Sequence, residues 1–152
     1  MNEVLYEKAL EDMMRDKDVL ELEKYSQHGA TSTLDHCLHV TRTAGKIAKQ
    51  LNLNISEEEL VRGSMLHDYY LYDFKKNEDV GAYRHGTGHA QIALDNASEI
   101  YDLTDKECNI IYSHMWPLNI THLPRCKESL LVCVADKYCA AKEMLQWTFN
   151  RK

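Results

Sequence analysis

The chain has 152 residues, which predicts one domain with enough apolar surface to build its own core. Hydrophobic residues make up 44% and charged residues 28%, while two prolines and six glycines are too few for a many-turned β-sandwich. Eighteen basic against 24 acidic residues give a net charge of −6, which argues against a nucleic acid polymer as partner, since such binding needs a basic surface.

The opening residues, MNEVLYEKALEDMM, carry acids throughout and no apolar run, so no signal peptide is expected. No stretch approaches the ~20 apolar residues of a membrane span. The five cysteines, Cys37, Cys108, Cys126, Cys133 and Cys139, are odd in number and lack CxxC spacing. They read as reduced thiols, and a cytoplasmic location is expected.

Taken in chain order, the signal is helical nearly throughout. Residues 2–24 place Val4, Leu5, Ala9, Met13, Val19 and Leu20 among charges, as one amphipathic helix would. After the loop SQHGATST, Ser32 or Thr33 can cap a second helix running to about Leu51. Ser56-Glu57-Glu58-Glu59 fits a capping box and opens a short third helix through His67. Residues 73–88, with Gly81, Gly86 and Gly88, read as a long loop, followed by a fourth helix from about His89 to Tyr101. Thr104 to Glu107 form a second capping box for a helix ending near His114. Pro117 and Pro124 bracket a loop, and the last helix spans about Lys127 to Trp147. The predicted fold class is all-α, with about six helices.

Helical spacing puts polar groups on apolar faces. His36 shares a face with Val40, Ala44, Ile47 and Leu51; His67 follows Leu60 and Ser64, with Asp68 next to it. His89 aligns with Ile92 and Ala93, His114 with Ile110 and Ile111, and Asp136 with Val132, Cys139 and Ala140. A buried aspartate is costly unless it is paired or binds a metal. Any one of these histidines alone would be an ordinary core or surface residue. Four histidines and two aspartates on the inner faces of five helices form the pattern by which helical bundles build metal sites.

The order of these residues resembles the HD-domain superfamily of metal-dependent phosphohydrolases. The resemblance rests on His36 in LDHCLHV, the doublet His67-Asp68 in GSMLHDYY and Asp136 in LLVCVADKYCA. His89 in HGTGHAQIA and His114 in IIYSHMWPL look like the two further ligands of the binuclear type, H…HD…H…H…D. The resemblance implies a single HD domain over residues 1–152, with an N-terminal helix and lead-in loop at 1–30 and a metal-binding core at 31–147. It implies a central site in which His36, His67, Asp68 and Asp136 hold one metal. His89 and His114 hold a second, with Asp68 as the bridging catalytic residue. Many relatives carry a lysine three residues after the doublet; this chain has Leu71 there.

Histidine and carboxylate ligands without thiolate suit two divalent transition metals, Fe or Mn first, with Co or Zn as alternatives. Two metals ~3.5–4 Å apart clamp the attacking and leaving oxygens of a phosphoryl displacement, and a metal-bridging hydroxide is the expected nucleophile. The expected substrate is a small phosphorylated metabolite, a nucleotide by preference. Candidate phosphate or substrate contacts are Arg125, Lys127, Lys137, His39 and His28; the plain reading of each basic residue is a solvated surface charge. Arg84 and His85 are candidates for a lid, and Tyr72 and Asp73 for the pocket wall. A diiron oxygenase with the same six ligands and a non-catalytic binding module are the competing readings. No nucleic acid and no membrane are expected as partners, and a homodimer is an open option.

Overall fold

A computed structural model describes residues 1–27, 31–72 and 81–150, with the backbone alone over 81–87 and at 150. Among these residues there are seven α-helices and no strand, beyond an isolated bridge between Ser26 and Ser32. The helices are α1 (Glu3–Arg15), α2 (Lys17–Leu20), α3 (Thr33–Gln50), α4 (Glu57–Leu66), α5 (Gly81–Ile100), α6 (Asp105–Ser113) and α7 (Lys127–Asn150), with a 3-10 turn at Glu21–Lys24 after α2.

The expected first helix is broken. Asp16 leaves the helical region and caps α2, its side chain accepting from the Asp18 N–H. The break lets Val19 and Leu22 reach full burial, a tertiary gain that outweighs helical continuity. Ser32 caps α3 as expected, accepting from the Asp35 N–H. The capping box at Thr104 is present in both directions. The box at Ser56 is not: its backbone N–H donates to Glu128 Oε1 at 2.8 Å. Glu59 is drawn off to Lys106 (2.8 Å) and Thr104 (2.9 Å). Lys106 also reaches Glu128 at 3.1 Å, so one ammonium ties together the N-terminal ends of α4, α6 and α7.

The largest departure from expectation lies at residues 81–88, which are helical rather than loop. Glycines lower helix propensity there, but propensity is a weak prior against packing, and α5 lies along α6. Residues 73–80 of the expected loop, and His28 of the lead-in, lie outside the described residues.

α4 is the centre of the bundle, packed against α1, α3, α6 and α7. Its residues Leu60, Val61, Gly63, Ser64, Met65 and Leu66 are all buried, so after its acidic first turn only Arg62 keeps partial contact with solvent. Its buried Ser64 is satisfied. Ser64 Oγ donates to the Leu60 carbonyl at 2.6 Å and meets Thr41 Oγ1 at 2.7 Å, joining α4 to α3. Two glycines set the close approaches. A Cβ at Gly63 would meet Ile110 side-chain atoms at 2.7–2.9 Å, and one at Gly45 would meet the Tyr6 ring at 2.7 Å.

Gly63→Ala therefore overpacks the α4–α6 seam. The expected loss is about 1–3 kcal/mol, read as a lowered denaturant midpoint with an unchanged slope; an unchanged midpoint would mean that Ile110 repacks freely.

Candidate metal centre

Three local devices aim histidines at one point. His67 and His114 are the C-cap residues of α4 and α6, where helix carbonyls lack intrahelical donors. Each turns its Nδ1 back to the carbonyl three residues earlier, His67 to Ser64 and His114 to Ile111, both at 2.7 Å. That bond places the hydrogen on Nδ1 and presents the Nε2 edge to the site. The third device acts on His36 inside α3. Its Nδ1 meets Glu143 Oε2 at 2.9 Å, and its Nε2 meets Asp136 Oδ1 at 3.1 Å.

The adjacent pair His67 and Asp68 both face the site because α4 ends between Leu66 and Asp68. The chain turns there, so the two neighbours are not held to the divergent directions of a continuing helix. Asp68 is 1% exposed and stands at the centre. Its Oδ2 lies 3.8 Å from His36 Nε2 and 3.5 Å from His67 Nε2. Its Oδ1 lies 3.2 Å from His89 Nε2 and 3.4 Å from His114 Nε2. His89 Nε2 and His114 Nε2 are 2.8 Å apart. Asp136 Oδ1 closes the first side, 3.9 Å from His67 Nε2.

All six expected ligands are thus in one buried cluster. Two triads, His36–His67–Asp68 and Asp68–His89–His114, have donor atoms close enough to hold a metal ion each. The hydrogen bonding fits such an occupant. His67 Nε2 and Asp68 Oδ1 are buried with no hydrogen-bond partner, a costly condition unless something else satisfies them.

The electrostatics are those of groups that compete for protons. Burial opposes protonation of His36, but the hydrogen bonds to Asp136 and Glu143 outweigh it and raise its pKa to about 10. Burial likewise opposes His67, and the Asp68 charge raises it well above the ordinary imidazole value. At His114 burial wins, and with help from His89 and His67 it lowers the pKa to about 3. Burial disfavours the charge on Asp68 and Asp136 as well, yet both are held well below the usual carboxylate range. His67 and His89 act on Asp68, and His36 and His67 on Asp136.

Two neighbours of the site were not expected from the sequence. Glu143 joins His36 to His39, whose Nδ1 lies 3.0 Å from Oε1. Its signal was present, because it stands seven residues after Asp136 on the same face of α7. Gln27 donates from Nε2 to Asp68 Oδ2 at 2.6 Å, and Tyr70 donates its hydroxyl to Gln27 Oε1. Gln27 precedes α3 in irregular chain, and no periodicity marks it.

Of the expected substrate contacts, Lys137 is brought to the cluster, with Nζ 3.3 Å from Asp136 Oδ2 and 2.7 Å from the His114 carbonyl. His39 reaches it only through Glu143. Arg125 borders a separate cleft of about 730 Å³ with Asn109 and Tyr112. Lys127 points its ammonium at the Asn54 carbonyl, 3.4 Å away. Tyr72 packs against the Tyr70 ring. His122 stacks on Tyr112 with ring centres 3.7 Å apart.

The family model of the HD domain matches residues 33–141. The chain belongs to the HD-domain family. The matched span covers all six residues of the cluster and implies the superfamily of metal-dependent hydrolases. No curated protein and no solved structure gives a significant match to this HD domain. None of its described helices is long and apolar enough to cross a membrane.

Glu143 orients the His36 ring and helps hold a proton on it. Glu143→Ala is expected to weaken metal affinity about 10–100-fold. It also flattens the rise of affinity with pH, because the proton that metal must displace from His36 is held less tightly. Competition titrations with a chelator between pH 6 and 9 check both; an unchanged pH slope would remove Glu143 from this role.

Proposed function

We propose that this HD domain is a two-metal phosphohydrolase acting on a small phosphorylated metabolite, with nucleotides the leading class. The observation that carries the reading is the division of Asp68. One carboxylate oxygen faces His36 and His67, and the other faces His89 and His114. A carboxylate so divided suits a bridge between two cations. In this assignment His36, His67, Asp68 and Asp136 hold one metal, and Asp68, His89 and His114 hold the other. The all-nitrogen and oxygen donor set favours Fe or Mn, with Co or Zn as alternatives.

When bound, such metals supply Lewis-acid charge to phosphoryl oxygens and lower the pKa of water at the site. The chain's own residues supply the rest. Gln27 fixes Asp68 through the oxygen that faces His36 and His67. Lys137 is a point charge beside Asp136 and is 36% exposed, so it can turn toward an incoming phosphate. It takes the place of the lysine that Leu71 lacks, reaching the site from α7 rather than from the turn after the doublet. Burial of the cluster excludes bulk water and strengthens each of these contacts.

Asp68→Ala is expected to lose both metals and all phosphate release, measured by elemental analysis and a screen of phosphorylated metabolites. His114→Ala is expected to lose one metal. Lys137→Ala keeps both metals and slows phosphate release about 10²-fold. Full metal content in the Asp68 variant would overturn the bridge. Oxygen uptake in step with product formation, with no phosphate released by water, would replace the hydrolase by an oxygenase.

A further inference from the structure

Behind Glu143, on the side away from the cluster, α3 and α7 enclose a second concavity. It is a groove of about 220 Å³ bordered by His39, Arg42 and Lys46 from α3 and by Tyr138, Lys142 and Gln146 from α7, with Glu143 also in its wall. The α3 residues fall at i, i+3 and i+7 and the α7 residues at i, i+4 and i+8, so each set is one helix face. Three cations, with His39 beside them, therefore converge on one groove of a chain whose net charge is −6.

His39 is paired with Glu143, but the three full cations are not neutralised. Arg42, Lys46 and Lys142 make no ion pair or side-chain hydrogen bond among the described residues. Two of the nearby acidic side chains, Glu143 and Glu3, are engaged elsewhere, and Glu7 makes no ion pair with the groove cations. Glu143 is shared between His36 and His39, at 2.9 and 3.0 Å. Arg42 and Lys46 also border an adjoining groove that holds Glu3 and Glu7, but Glu3 is paired with Lys49 at 2.7 Å. Arg42 and Lys46, four apart on one helix, repel each other, and Lys142 faces them from α7. A bound anion relieves that repulsion.

We propose that this groove is an anion site for a diphosphate group, distinct from the metal cluster and separated from it by the Glu143 carboxylate. Arg42 offers a bidentate fork, Lys46 and Lys142 offer point charges, and the half-exposed His39 and Gln146 offer further donors. The volume falls below the ~300 Å³ at which pockets begin to enclose drug-sized ligands. The groove is therefore matched to the phosphates, with any nucleoside left outside, where Tyr138, 60% exposed, can lie against it. The site stands on these residues alone and does not depend on the reaction at the metals.

The test is titration of the full metal-loaded chain with inorganic pyrophosphate, followed by NMR of the His39 imidazole. Saturable shifts are expected. The midpoint should rise at least tenfold in the double variant Arg42→Gln/Lys46→Gln and in Lys142→Gln, with metal content unchanged. Lys8→Gln, a surface charge on α1, should leave it in place. ADP as a second probe separates the sources: binding at least as tight as pyrophosphate marks a nucleotide tail, and weaker binding marks a free anion. A silent His39, a midpoint unmoved by the three groove substitutions, or an equal loss in Lys8→Gln would each overturn the site.

Discussion

The constraint on which this structure depends is the burial of one carboxylate. Asp68 carries a charge in a place with almost no water, and such a group survives only with opposite charge or donors on every side. Four imidazoles and the Gln27 amide provide them. To bring those groups in, the chain must deliver the end of α4, the end of α6, the first turn of α3 and a residue of α5 to one spot. The enclosed position of α4 follows from this. The helix that carries the doublet has to be the one the others pack around.

The same constraint explains where the bundle tolerates polarity. Thr41 and Ser64 are buried beside the site yet satisfy each other and their own helix carbonyls. Arg62 and Glu107, at 2.6 Å, close a charge pair on the far side of α4. Four buried side-chain atoms have no hydrogen-bond partner among the described residues: Arg62 Nε, which still lies in its ion pair, Tyr101 Oη, and His67 Nε2 with Asp68 Oδ1. The last two are adjacent residues and lie where a cation would sit, which marks them as a site.

Much of this was legible in the sequence. Helix class, the caps at Ser32 and Thr104, and the six cluster residues follow from spacing of three and four and from the order of histidines and aspartates. What was not legible has physical causes. The break at Asp16 serves the burial of Val19 and Leu22, a tertiary matter that a continuous apolar pattern conceals. The glycines before His89 suggested loop, but α5 is held by its neighbour rather than by propensity. The Ser56 box was a correct local pattern defeated by a distant acid, Glu128. Glu143 shares a stripe with Asp136 but looks like an ordinary helix charge until His36 is seen beside it. Gln27 has no local signature, because its position is set by the fold around Asp68.

The histidines differ in what fixes their rings. His67 and His114 lean on main-chain oxygens of their own helices, and His36 leans on a side chain from the other end of the sequence. No substitution can delete a carbonyl, so the first two orientations are inherited with the helix ends themselves. The third is open to mutation. Over evolutionary time, or in a designed library, the two halves of the cluster are therefore unequally adjustable. The His36 ring can be retuned by single changes on α7, while the His114 ring can be turned only if α6 ends elsewhere.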